Sequence, residues 1–167
     1  AETMKTNLRF NSCGAIYDEN WEKVIGYYDD ETDNYWQDHL QAIFNRRMGD
    51  FEAGMTLHYT FGRGYYESYK QDADMARYKI GPITVGDQTI ETCDLINRKW
   101  LYNHFYGATA RLTYDRKKIT ATLSGAYNRY EGDHYGEVIW AQYTPDAPKD
   151  QHYYDNHTDN NDGNVFL

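Results

Sequence analysis

Residues 51–63 read FEAGMTLHYTFGR, and apolar and polar residues alternate along almost all of them. The apolar parity comprises Phe51, Ala53, Met55, Leu57, Tyr59 and Phe61. Alternation with a period of two over about eleven residues predicts a strand about twice the usual length. Ten steps of ~3.3 Å at a tilt of ~40° rise about 25 Å, which matches the height of the apolar band of an outer-membrane β-barrel.

The same alternation recurs on both sides of this stretch. It predicts strands at 4–16, 36–48, 51–63, 99–114 and 119–130, and the beginning of another at 163–167. Tight turns are expected at 49–50 and 115–118, and long loops at 18–35, 64–98 and 131–162. Because short and long connections alternate strictly, we expect an all-β, antiparallel, up-and-down sheet with turns at one end and loops at the other. This pattern is typical of part of a large transmembrane β-barrel.

The composition agrees with a strand-rich chain and excludes several classes. The 167 residues include 18 Tyr and 4 Trp, whereas disordered chains are depleted in aromatic residues. A formal charge of -9 argues against a nucleic-acid partner. No apolar run approaches the ~18 residues of a transmembrane helix. Aromatic residues fall near both ends of the predicted strands, as in membrane interfacial girdles: Trp36, Trp100 and Tyr102 at the loop end, Phe51 and Tyr114 at the turn end.

The sequence gives little reason to expect catalysis. It has no nucleophile elbow, phosphate loop or zinc-protease motif, so neither enzyme activity nor a cofactor is expected. Asp133 with His134 resembles a metal-ligand set, as do the acidic and histidine residues between 150 and 159. Both groups also have the composition of a solvated loop, and no metal site is predicted. Pairing of Cys13 with Cys93 remains open.

Binding is the more attractive chemistry, because aromatic side chains offer rigid surface at small entropic cost. The predicted loops contain candidate ligand-binding residues Tyr65, Tyr66, Tyr69, Tyr135, Trp140, Tyr153 and Tyr154. The competing interpretation is that these rings pack loop against loop. On the polar parity, the residues predicted to face the barrel lumen or a plug are Arg47, His58, Arg111 and Asn128, beside Glu52 and Thr120.

Four segments resemble strand entries of TonB-dependent outer-membrane receptors. They are DNYWQDH at 33–39, HYTFGRGYYE at 58–67, RKWLYNHFYG at 98–107 and GDHYGEVIWA at 132–141. They occur in the family's order and span most of residues 33–141. One departure lies in the third segment, where Tyr102 and His104 stand at positions at which the family more often has acidic residues.

The resemblance implies a 22-strand barrel in the outer membrane, filled by an N-terminal plug and energised through TonB. Such a receptor binds and imports a scarce small-molecule nutrient of the siderophore, haem, cobalamin or glycan class, and contacts outer-membrane lipid. The chain is then expected to be a fragment that lacks the plug domain. The alternatives are a soluble all-β ligand- or carbohydrate-binding module, with the apolar parity facing inward, and a surface adhesin without transport. The identity of the substrate is left open.

Overall fold

The computed structural model describes residues 14–30, 32–143 and 151–167, and these are all-β with antiparallel sheets. The strands are β1 (Ala15–Tyr17), β2 (Val24–Tyr27), β3 (Asp33–Met48), β4 (Phe51–Asp74), β5 (Ile83–Val85), β6 (Gln88–Ile90), β7 (Thr92–Arg116), β8 (Ile119–Ala141) and β9 (His152–Phe166). A short 3-10 helix covers Met75–Tyr78. Among the described residues, no helix is long and apolar enough to cross a membrane.

Five long strands form one sheet in the order β3-β4-β7-β8-β9, which is an open sheet rather than a closed barrel. Because sheet order follows chain order among these strands, the topology is the predicted up-and-down arrangement. Two separate two-stranded sheets pair β1 with β2 and β5 with β6. The predicted strand 4–16 falls mostly outside the described residues, and its described end belongs to the β1–β2 hairpin instead of the main sheet.

The predicted tight turns are present. Gly49 has a φ of 62°, a left-handed conformation that glycine adopts without steric cost, and this permits the two-residue connection from β3 to β4. The second turn is shorter than predicted, because β7 continues to Arg116 and β8 begins at Ile119. The two turns lie side by side in the sheet: Asp115 N–H of β7 donates to the carbonyl of Asp50, which precedes β4, and Phe51 of β4 packs on Tyr114 of β7, with ring centroids 5.0 Å apart.

The predicted loop bounds are wrong. β4 has 24 residues and β7 has 25, so most of the predicted loop 64–98 is strand. β8 likewise continues to Ala141 and β9 begins at His152, within the predicted loop 131–162, while β3 begins at Asp33, within the predicted loop 18–35. The predicted bounds rest on apolar alternation, and that signal ends where one face of the strand stops being apolar. Strand pairing nevertheless continues, supported by polar and aromatic cross-strand pairs.

The chain forms two compact units. The turn-side unit comprises residues 35–63, 101–133 and 156–167, and it contains both tight turns. The loop-side unit comprises the described residues within 14–34, 64–100 and 134–155, and it contains the segment 75–91 between β4 and β7.

In the turn-side unit, the polar parity of the long strands lies on one face of the sheet and the apolar parity on the other. On the polar parity, the Tyr35 hydroxyl donates to Asn103 Oδ1 at 2.9 Å, and His39 lies 3.0 Å from the Thr60 hydroxyl. The apolar parity is exposed: Leu40 is 69% exposed, and Met55, Leu57, Leu112 and Leu123 are 41–47% exposed. A soluble module would bury Met55, Leu57, Leu112 and Leu123 in a dry interior. In this unit all four side chains are exposed.

The loop-side unit has a dry core of its own. Its buried members are Met75, Ile80, Cys93, Leu95, Val138 and Ala141, against which Tyr78, Ile83, Ile90 and Tyr153 pack. The segment 75–91 therefore supplies apolar side chains to a core, so it is not a structureless loop. Cys93 is 3% exposed within this core, whereas Cys13 lies outside the described residues.

Candidate functional site

A row of rings crosses four strands of the loop-side unit. Tyr65 of β4 packs on Trp100 of β7, with centroids 4.6 Å apart. Trp100 stacks on Tyr135 of β8 at 6.0 Å, and Tyr135 stacks on His152 of β9 at 4.0 Å with an interplanar angle of 17°. We call these four residues the aromatic row. Since antiparallel pairing places these residues next to each other on one face, the row follows directly from strand register.

Charged side chains hold the aromatic row in place. The Trp100 indole N–H donates to Glu137 Oε2 at 2.8 Å, and Glu137 Oε1 lies 3.7 Å from His152 Nε2. The Arg98 guanidinium lies 4.4 Å from the Tyr65 ring centroid, a cation–π arrangement. Tyr65, Trp100 and His152 are therefore each positioned by a neighbouring ring and by at least one polar group or cation. The row is preorganised, but its ring faces are largely covered by one another.

Glu67 anchors the first strand of the row. It is 8% exposed and accepts hydrogen bonds from Arg98 Nε at 2.8 Å and from the Tyr28 hydroxyl at 2.6 Å. Burial and the hydrogen bond to the Glu67 carboxylate both raise the pKa of Tyr28 above its ordinary value, which keeps that phenol neutral. Because a buried carboxylate is tolerated only when paired, we assign Glu67 and Arg98 a structural role.

The opposite face of the same strands contains a second cluster of rings around one ammonium group. Its members are Tyr66, Tyr78, Lys99, Tyr153 and Tyr154, which we call the tyrosine–lysine cluster. Tyr153 packs on Tyr78 with centroids 4.8 Å apart and meets Tyr154 edge-on at 5.0 Å. Lys99 Nζ lies 5.6 Å from the Tyr66 ring centroid.

Tyr153 is the fixed member of this cluster. Its hydroxyl accepts a hydrogen bond from Asn97 Nδ2 at 2.8 Å, and Asn97 Oδ1 accepts one from the Ser68 hydroxyl at 2.8 Å. Asn97 and Ser68 are each 1% exposed. Burial raises the pKa of Tyr153 to about 12. A chain of three polar groups, of which Asn97 and Ser68 are fully buried and Tyr153 is partly buried, therefore ties β4, β7 and β9 together.

The seven predicted ligand-binding residues are thus divided by the structure. Tyr65 and Tyr135 belong to the aromatic row, and Tyr66, Tyr153 and Tyr154 belong to the tyrosine–lysine cluster. Tyr69 is occupied elsewhere, because it stacks on Tyr28 and donates to Asp94. Trp140 is 45% exposed and makes no ring contact with the described residues. Ring-on-ring packing, the competing interpretation, accounts for most of these side chains, while ligand binding stays a prediction.

Sequence reasoning missed four members of the two groups. Trp100 was interpreted only as an interfacial girdle residue and His152 only as a possible metal ligand, while Tyr78 and Lys99 were not singled out. A usable signal was present, because Lys99-Trp100 and Tyr65-Tyr66 are adjacent pairs, and adjacent residues of a strand point to opposite faces. Strand pairing was needed to show that the two pairs face each other.

The residues predicted to face a lumen lie in the turn-side unit. His58 is 3.0 Å from Asn128 Oδ1, and Arg111 donates to Glu52 at 2.9 Å. Arg47 is exposed on β3. The Arg111–Glu52 bond links the neighbouring strands β7 and β4, whereas the His58–Asn128 contact reaches from β4 over Gly107 of β7 to β8. Both contacts lie on the polar parity, in agreement with the predicted shared face. Whether that face lines a lumen or contacts a plug stays a prediction.

The residues considered as metal ligands form pairs. His157 Nδ1 lies 2.6 Å from Asp133 Oδ1, His152 pairs with Asp155, and Asp159 accepts from Arg129, while Asp150 lies outside the described residues. Across residues 14–30, 32–143 and 151–167, no group of three or more histidine, cysteine or acidic side chains is arranged to hold a metal ion.

Comparisons with protein-family models, with curated proteins and with solved structures find no match to this chain.

Proposed function

We propose that this chain is part of a TonB-dependent receptor of the outer membrane, which binds a scarce small-molecule nutrient and imports it. In this proposal the apolar parity of the turn-side unit contacts lipid and its polar parity faces a lumen, while the loop-side unit is surrounded by water. The energy comes from TonB through a plug region of the parent protein. The chain acts by binding and passage rather than by chemical conversion.

The observation that carries the proposal is the separation of the two faces of the turn-side unit. Large apolar side chains are exposed on one parity of four long strands, including Leu40 at 69% and Ile119 at 64%. Contiguous exposed apolar surface of this kind marks an interaction site. Because these side chains alternate with mainly polar ones, several of which are hydrogen-bonded, a lipid-facing wall is the partner that fits. Ile43 of β3, which is 64% exposed, is an apolar exception on the polar parity.

The loop-side unit supports the same proposal by contrast. Six of its apolar side chains form a buried cluster, with Met75 and Leu95 at 1% and 0% exposure, although its strands continue those of the turn-side unit in sequence. A segment surrounded by water needs such a core, whereas a segment surrounded by lipid does not. Apolar side chains of the turn-side strands are exposed, whereas those of the loop-side core are buried. This difference is expected if lipid surrounds the first unit and water the second.

The proposal is tested by placing a charge on each parity of β3. Leu40→Arg puts a guanidinium on the apolar parity, and Gln41→Arg puts one on the adjacent position of the polar parity. At lipid depth the first change costs about 2–4 kcal/mol, while the second stays in a wet environment. Outer-membrane fractions of the parent protein are compared by gel migration before and after heating, since a folded barrel migrates differently from an unfolded one.

We expect wild type and Gln41→Arg to show a heat-dependent band, and Leu40→Arg to lose most of it. The proposal fails if the parent protein stays in solution without detergent. It also fails if both variants assemble to the same extent as wild type.

A further inference from the structure

Lys99 is a cation that has no acidic partner among the described residues, although the protein is acidic. The chain has 26 Asp and Glu residues against 17 Lys and Arg, yet among the described residues no carboxylate forms an ion pair with Lys99. The groups around its ammonium are phenols: its Nζ lies 5.6 Å from the Tyr66 ring centroid, and interactions with Tyr66, Tyr154 and Tyr78 raise the pKa of Lys99. An ammonium left without a carboxylate in such a chain can still attract an anion.

Strand register explains how this cluster forms. Tyr65 pairs with Trp100 and Trp100 with Tyr135, so antiparallel pairing places Tyr66 and Gly136 on either side of Lys99 on the other face. Gly136 has no side chain to fill that place. A Cβ there would lie 2.3 Å from Tyr153 Cζ and 2.5 Å from Tyr154 Cε1. The absence of a side chain at Gly136 therefore allows the rings of Tyr153 and Tyr154 to pack over β8 next to Lys99.

The hydroxyl groups of Tyr66, Tyr78 and Tyr154 are unused donors. Within the described part of the chain, none of the three donates a hydrogen bond to a protein acceptor. Burial raises the pKa of Tyr78 and of Tyr154, so these phenols keep their protons at neutral pH. Tyr66 is 42% exposed, which leaves the cluster open to a ligand from solution.

We propose that Lys99 and the hydroxyl groups of Tyr66, Tyr78 and Tyr154 bind the anionic oxygen group of a small organic ligand, a carboxylate or a phosphate. An ammonium has three donors, and each phenol adds one, so the cluster matches the several lone pairs of such a group. This inference rests on the proposed function for the origin of the ligand, and it names the chemical class of that ligand.

Binding is measured by titration calorimetry on the parent protein in detergent, with citrate and inorganic phosphate as probes. The variants are Lys99→Met and the milder Tyr66→Phe, and Lys118→Met is the matched control, since it removes the same charge at the exposed β7–β8 turn. Hydrogen exchange of residues 92–98 shows whether each variant keeps the loop-side core.

We expect at least one probe to bind, with Lys99→Met weakening its Kd about tenfold or more, Tyr66→Phe weakening it by a smaller factor, and Lys118→Met leaving it unchanged. Binding of both probes supports a site for anionic oxygen groups in general. Binding of citrate alone identifies the ligand group as a carboxylate, and binding of phosphate alone identifies it as a phosphate. The inference is overturned if wild type binds neither probe at millimolar concentration. Equal binding by wild type and a folded Lys99→Met also overturns it.

The failure of the two proposals is distinguishable. Citrate or phosphate binding without a heat-dependent gel band rejects the membrane receptor and keeps the anion site. A heat-dependent band without binding of either probe rejects the anion site alone.

Discussion

Asn97 connects three strands of the loop-side unit, and replacing it with alanine tests whether this buried polar chain stabilises the unit. Asn97 Oδ1 accepts from Ser68, and Asn97 Nδ2 donates to Tyr153, both at 2.8 Å. Asn97→Ala removes both hydrogen bonds. It also leaves the Ser68 hydroxyl, which is 1% exposed, without its acceptor.

The expected cost follows from these two losses. An unsatisfied buried donor costs about 1–3 kcal/mol, and the lost hydrogen bond to Tyr153 adds roughly 1 kcal/mol. The sum is about 2–4 kcal/mol. Since each 1.4 kcal/mol corresponds to about a factor of ten, the opening equilibrium of this region rises about 30-fold or more.

The assay is amide hydrogen exchange of the native protein, followed in peptides that cover residues 92–98. Exchange reports local opening free energy, so the loop-side unit can be followed without unfolding the rest of the chain. Asn103→Ala is the matched control, because Asn103 is 7% exposed and accepts one hydrogen bond, from Tyr35, within the turn-side unit. It should leave exchange at 92–98 unchanged.

Removing both ends of the first hydrogen bond refines the test. Ser68→Ala combined with Asn97→Ala leaves no unsatisfied hydroxyl, so the double variant should cost less than the sum of the two single variants. If Asn97→Ala exchanges within about threefold of wild type at 92–98, the buried polar chain does not stabilise the unit and the reasoning is refuted.

Two further predictions concern Tyr153 and its surroundings. The Tyr153 pKa is about 12 in the folded chain against 10.0 for free tyrosine, so its contribution to stability is complete below pH 10 and is lost as pH rises through about 12. Alkaline unfolding, followed by phenolate absorbance, should therefore be less steep in Tyr153→Phe than in wild type. An unchanged pH profile would contradict this. Gly136→Ala should destabilise the protein by about 1–3 kcal/mol, because its Cβ would collide with the rings of Tyr153 and Tyr154. Gly81→Ala is the control, since nothing lies within 4 Å of a Cβ there, and equal melting temperatures for the two variants would argue against the predicted collision.

Alternation alone was enough to predict the all-β, antiparallel class and the chain-ordered meander of long strands. Period two needs no tertiary information, because successive side chains of a strand point to opposite faces whatever the partner strand is. The turn at Gly49 was equally local, since a left-handed φ favours glycine. For the same reason the shared polar face of His58 and Asn128 followed from their parity alone.

The ends of the strands and the membership of the aromatic row and the tyrosine–lysine cluster depended on tertiary structure. Residues 64–74 and 92–98 lose apolar alternation, but they remain paired strand, because Glu67 with Arg98 and Ser68 with Asn97 bond across the sheet. Which aromatic residues face a ligand and which pack on each other depends on register between strands that are distant in sequence. Tyr69 and Tyr65 look alike in the sequence, yet one is bound to Asp94 and the other begins the aromatic row. The sequence thus determined the two faces of each strand, and only the pairing of strands decided which side chains meet.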